Sequence, residues 1–176
     1  MRKVAWLFAL IGLLCTGVSA QSPLATALRE IEQGRAKNMV AAAQEMPADK
    51  YSFKATPDHM TFGHLIIHIA EANYMFCSAI GGVAAPELAK INDTDPKDKL
   101  VDRLKASFDF CGTALAKVDD SALGETITWK SSAFGEQKAS LAAAILRLAA
   151  NNWADHYSLE ATYLRLNGLL PPTAKK

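Results

Sequence analysis

Apolar residues recur at three- and four-residue intervals in four stretches of the chain, each with its own start and stop signals. The first stretch opens at Pro23, a residue suited to a helix start because its missing N–H would be unpaired there anyway. Leu24, Leu28, Ile31, Met39, Val40 and Ala43 form its stripe, and Met46-Pro47-Ala48-Asp49 ends it. An extended connector runs from Tyr51 to His59, punctuated by Pro57. Thr61 then offers a hydroxyl as N-cap to a second helix. Along it Phe62, Leu65, Ile66, Ile69, Asn73, Phe76 and Ile80 repeat until Gly81-Gly82 stops it. A loop with Pro86 and Pro96 leads to a third helix, Lys97 to Val118, whose stripe is Leu100, Val101, Leu104, Phe108, Cys111 and Leu115. From Asp119 to Ser140 the alternation around Glu125-Thr126-Ile127-Thr128-Trp129 and Gly135 is weak and suggests a short extended piece or hairpin. The fourth and longest helix, Leu141 to Leu166, has the stripe Leu141, Ile145, Leu148, Asn152, His156, Leu159, Tyr163 and Leu166. Asn167-Gly168 and Pro171-Pro172 close it. The expected fold is all-α, a four-helix bundle with a long connection between the third and fourth helices.

The first twenty residues stand outside this pattern. Met1-Arg2-Lys3 is a short basic start, Val4 to Leu14 is an apolar core, and Val18-Ser19-Ala20 places small residues before Gln21-Ser22. That order predicts a signal peptide over residues 1–20 and a helical domain over residues 21–176. A membrane anchor is the alternative, but the apolar run is too short to span and flows into the cleavage pattern. The expectation is a periplasmic or secreted protein with no stable membrane anchor after cleavage.

Composition narrows the function classes. The chain has 176 residues, 50% hydrophobic and 21% charged, which excludes a disordered chain and suits one domain. Its 19 Lys+Arg face 18 Asp+Glu, and losing Arg2 and Lys3 leaves 17 against 18. Such a balance argues against nucleic acid held on a broad basic surface.

Candidate chemistry centres on the histidines. Of His59, His64, His68 and His156, the last three fall on predicted helices. His64 and His68 are four apart and share a face of the second helix. His68 lies beside the Leu65, Ile69, Ala72 and Phe76 stripe, and His156 sits in the stripe of the fourth helix one turn after Asn152. Imidazoles facing each other from two helices are how bundles build metal sites, whereas a single core histidine is simply hydrogen-bonded. The templates of other chemistries are missing: there is no phosphate-binding glycine loop, no G-x-S-x-G elbow and no C-x-x-C pair. Glu71 and Asp155 each lie near a histidine, either as solvated surface carboxylates or as groups orienting a ligand.

Cys77 and Cys111 remain after signal cleavage, an even pair in a compartment where disulfides persist. The alternative is two buried, inert thiols. Antiparallel second and third helices would set the two cysteines roughly three turns apart in depth. A crossover through the Gly81–Pro96 loop that returned the third helix parallel to the second would bring them together. A Cys77–Cys111 disulfide, and with it a parallel helix pair, is therefore predicted.

The runs Phe62-Gly63-His64-Leu65-Ile66-Ile67-His68-Ile69-Ala70-Glu71-Ala72-Asn73-Tyr74 and Asp155-His156-Tyr157, with Thr162 to Pro172 and the connector Met46 to Phe53, resemble the DinB-like family. The resemblance covers nearly all of the domain and implies a four-helix bundle, often a homodimer. It also implies a divalent metal, nickel or zinc, held by one histidine of the second helix and an H-x-x-x-H pair on the fourth. His68 matches the first of these and His156 the later histidine of the pair. Asn152 stands where the earlier one belongs, and an amide is a much poorer ligand than imidazole. His64 is a candidate auxiliary ligand, and Ser158 replaces the family's usual glycine. The implied activity is metal-dependent hydrolysis or thiol-dependent transfer on an unidentified small molecule. The competing expectation is a non-catalytic helical binding or structural module whose metal site is degraded at Asn152.

Overall fold

In the computed structural model, which describes residues 22–175, Pro23 occupies the first position of helix α1 (Pro23–Glu45). The predicted signal peptide, Cys15 included, lies outside the described residues. The N-terminus of α1 is capped from far along the chain: the backbone N–H groups of Leu24 and Ala25 donate to the two carboxylate oxygens of Asp120 at 2.9 and 2.8 Å. Helix α2 (Phe62–Gly81) starts as expected at Thr61, whose Oγ1 accepts from the His64 N–H at 3.0 Å. It stops where Gly82 turns left-handed at φ +61°. Helix α3 spans Lys97–Leu115.

Side-chain neighbours give the helix directions. Gly63 lies against Leu100, Asn73 bonds Ser107, Cys77 is joined to Cys111, and Gly81 lies against Ala114. Residue numbers rise together, so α2 and α3 run parallel, with residues 82–96 as the crossover. Against α1 they run the other way: Lys97 Nζ donates to the Gln44 and Met46 carbonyls, while Arg29 at the far end donates to the Leu115 carbonyl.

The all-α expectation needs correction. Thr126–Ser131 (β1) and Gly135–Ser140 (β2) pair antiparallel, Thr126 opposite Ser140 and Ser131 opposite Gly135, to make a two-stranded sheet. Gly135 takes φ +66°, the left-handed position that a three-residue hairpin loop requires. The hairpin expected around Gly135 is thus present: exposed and less exposed positions alternate along β1, but Trp129 alone is buried, which keeps the alternation in the sequence weak. The protein is mostly helical with this one small sheet.

The fourth helical stretch begins as α4 (Leu141–Leu146), capped by Ser140 Oγ, and ends as α5 (Asp155–Leu166). Between them Arg147–Ala154 winds as π-helix. The wider turns act as an inserted residue and bring the positions one further along onto the inward face. Leu141, Ile145, Leu148, Asn152 and Tyr163 are buried as expected; from the π turns onward Trp153, Tyr157, Glu160, Ala161 and Leu164 are buried as well, and Leu166 is 56% exposed. Trp153 is thereby driven into the core, where its Nε1 donates to Asn73 Oδ1 at 2.8 Å, while Asn73 Nδ2 donates to Ser107 Oγ at 3.0 Å. One buried asparagine thus ties α2, α3 and the π segment together.

Candidate metal and ligand pocket

The same shift sets His156 at the edge of the inward face, toward a cavity instead of the core. That cavity, of about 630 Å³, is bounded by α2, the hairpin and the π segment. His68 and His156 meet there with ring centroids 5.0 Å apart and planes inclined at 45°. The two histidines that the sequence singled out are therefore neighbours on facing helices.

Each imidazole is prepared differently. His156 Nδ1 lies 2.5 Å from the Asn152 backbone carbonyl, so it carries the proton and donates, and Nε2 is left with its lone pair. Donation of the far ring nitrogen to a carbonyl is the usual orientation device of a metal-binding histidine. His68 opens to the cavity. Its partial burial lowers its pKa below the ordinary 6.5, and the neighbouring imidazoles of His156 and His64 lower it further, so the ring is neutral at neutral pH. Asn152 is 5% exposed, lines the cavity, and its Nδ2 has no hydrogen-bond partner among the described residues.

The remaining candidates separate. His64 projects from the turn before His68 but lies outside the cavity lining, its Nδ1 3.8 Å from Asp93 Oδ2 at the surface. His59 bonds Thr56 in the exposed connector. Glu71, itself exposed, is among the residues that line the cavity, whereas Asp155 is exposed and is not. Cys77 and Cys111 form the expected disulfide, with Cα atoms 5.1 Å apart, buried between α2 and α3. The hairpin side of the cavity was not singled out from the sequence: Trp129, Phe134 and Arg147 line it. The Arg147 guanidinium lies 5.7 Å above the Trp129 ring.

The donor set fits a metal in part. Metal–nitrogen bonds of ~2.1 Å at a tetrahedral angle put the centroids of two imidazoles on one ion about 5 Å apart, the spacing seen here. No group of three or more His, Cys, Asp and Glu side chains converges among the described residues. Two imidazoles, with the Asn152 amide beside them, are what the protein offers.

Comparison with known proteins bears on fold and family. The chain is similar to a DinB-like protein of Bacillus cereus ATCC 10987, at 16% identity and TM-score 0.65, over 84% of this chain and 95% of that one. It is also similar to the DinB-like protein YjoA of Bacillus subtilis, at 18% identity and TM-score 0.65, over 85% and 99% of the two chains. At such identities the likeness shows a shared fold. A comparison with curated proteins found no match. Residues 30–158 match the model of the DinB superfamily. On that match, which spans the cavity and both histidines, the chain belongs to the DinB superfamily.

Proposed function

We propose that this chain is an exported DinB-superfamily protein with a four-helix-bundle frame, which holds a divalent metal, nickel or zinc, between His68 and His156 and carries out hydrolysis or group transfer on a small molecule. The observation that carries the reading is the facing imidazole pair, with His156 Nδ1 fixed on the Asn152 carbonyl and Nε2 directed away from it. A metal bound there supplies Lewis acidity, lowering the pKa of a bound water or thiol. The chain's own groups do the rest. His68, kept neutral, presents a lone pair, and Glu71, a residue of the same lining, is the carboxylate at hand to hold or accept a proton. Export is supported by the signal-like N-terminus and the buried disulfide. No helix among the described residues is long and apolar enough to cross a membrane.

One observation favours a second reading, a binding module without catalysis: Asn152 leaves only two imidazoles where the family pattern has three. Thermal unfolding against nickel, zinc and manganese decides between them. A metal that binds the folded state raises the melting temperature. The expected result is a nickel- or zinc-dependent rise in the wild-type protein that is lost in His68→Ala and His156→Ala. Equal melting temperatures with and without each metal would favour the module.

A further inference from the structure

Resting on the reading that this cavity is the functional site, we propose that it binds a monoanionic carboxylate with an aromatic or branched apolar body, its carboxylate on Arg147. The wall built by α2, the hairpin and the start of the π segment leads there. Phe76 packs on Trp129 with centroids 5.6 Å apart and planes inclined at 47°, and the Arg147 guanidinium carbon lies over the same indole, 5.7 Å from its centroid. No side-chain hydrogen bond of Arg147 to the described residues engages its N–H donors, so the fork is free for a planar, two-oxygen acceptor. Arg147 takes part in no ion pair with the described residues, and neither does Lys130, the other cation of the lining.

The charge count then selects the ligand. With no metal bound, the lining holds two cations, Arg147 and Lys130, and one carboxylate residue, Glu71, one unbalanced positive charge. That suits a monoanion better than a dianionic phosphate monoester. The apolar part has its own surface. Met75, Phe76 and Trp129 line the wall, and Phe134 at the hairpin tip holds its ring 79% exposed beside the opening. A large apolar ring kept in water next to a cavity gains from a ligand that covers it. A volume of about 630 Å³ accommodates such a body together with the histidine pair.

The test uses the metal-free protein, so that its outcome is independent of metal binding. 3-Phenylpropanoate, 3-phenylpropanamide and phenyl phosphate are titrated while tryptophan fluorescence and heat are followed. A charge-assisted bidentate contact predicts that the acid binds at least about tenfold tighter than the amide. It also predicts that phenyl phosphate binds no tighter than the acid. Arg147→Gln should remove the preference for the acid, and Arg147→Lys, which keeps the charge without the fork, should restore part of it. Equal binding of acid and amide, binding of neither, tighter binding of the phosphate, or a preference that survives in Arg147→Gln would each overturn the proposal. Selective acid binding in a protein that takes up no metal would overturn only the metal reading. Metal uptake at the histidines without acid selectivity would overturn only this one.

Discussion

Glu160 lies wholly inside the protein with neither carboxylate oxygen hydrogen-bonded among the described residues. Burial pushes its pKa well above the ordinary 4.5, so the folded chain keeps this proton while the unfolded chain releases it. Above pH 4.5 the folded state therefore binds more protons than the unfolded state, and stability falls as pH rises. Glu32, pushed up to about 7 by burial and secondarily by Asp109, adds a decline confined to the range between 4.5 and about 7. Glu160→Gln removes the larger contribution. Its melting temperature should exceed that of wild type by a margin that is small near pH ~5 and widens towards pH ~8 in scanning calorimetry. A margin independent of pH would contradict a protonated Glu160. Asn152 carries the second prediction at this scale. Asn152→His supplies a third imidazole at the cavity and should tighten zinc binding by about tenfold or more in competition with a chelator. Unchanged affinity would mean that position 152 does not face the ion.

At the scale of elements, the parallel α2–α3 pair depends on a long crossover, and the Cys77–Cys111 bridge pins it. Closing a loop of 34 residues limits the unfolded chain enough to stabilise the fold by about 4 kcal/mol in the chain-entropy account. The double variant Cys77→Ala, Cys111→Ala should lose about that much in denaturant unfolding and keep its helical circular dichroism. A loss below ~1 kcal/mol would mean that helix packing alone holds the pair. The parallel direction was legible in the sequence because the two cysteines demanded it. Helix ends were legible too: Pro23, Thr61, Gly82 and Gly168 act through local backbone chemistry that needs no tertiary context. The π turns were not. An extra residue in a helix leaves no compositional mark, and its only trace is the shift of burial onto Trp153 and Glu160. The hairpin was legible only weakly, as the alternation from Thr126 to Trp129 and the turn at Gly135, since Trp129 alone among its strand residues is buried.

For the whole molecule, the imidazole pair was legible because both histidines follow helical periodicity, and packed helices bring such faces together. The carboxylate-binding side of the cavity was not. Arg147 and Phe134 are a charged and an apolar residue in exposed positions, and only the folded hairpin brings Phe134, Trp129 and Arg147 to one opening. The π segment joins the two halves of that cavity: Arg147 stands at its start, and Asn152, near its end, orients His156. The account as a whole rests on a metal shared by His68 and His156. X-ray absorption at the zinc edge of the zinc-loaded protein tests that claim most directly. The account predicts two imidazole scatterers at ~2.0–2.1 Å with oxygen completing the shell, falling to one imidazole in His156→Ala. A shell of oxygen alone, or one unchanged in His156→Ala, would contradict it.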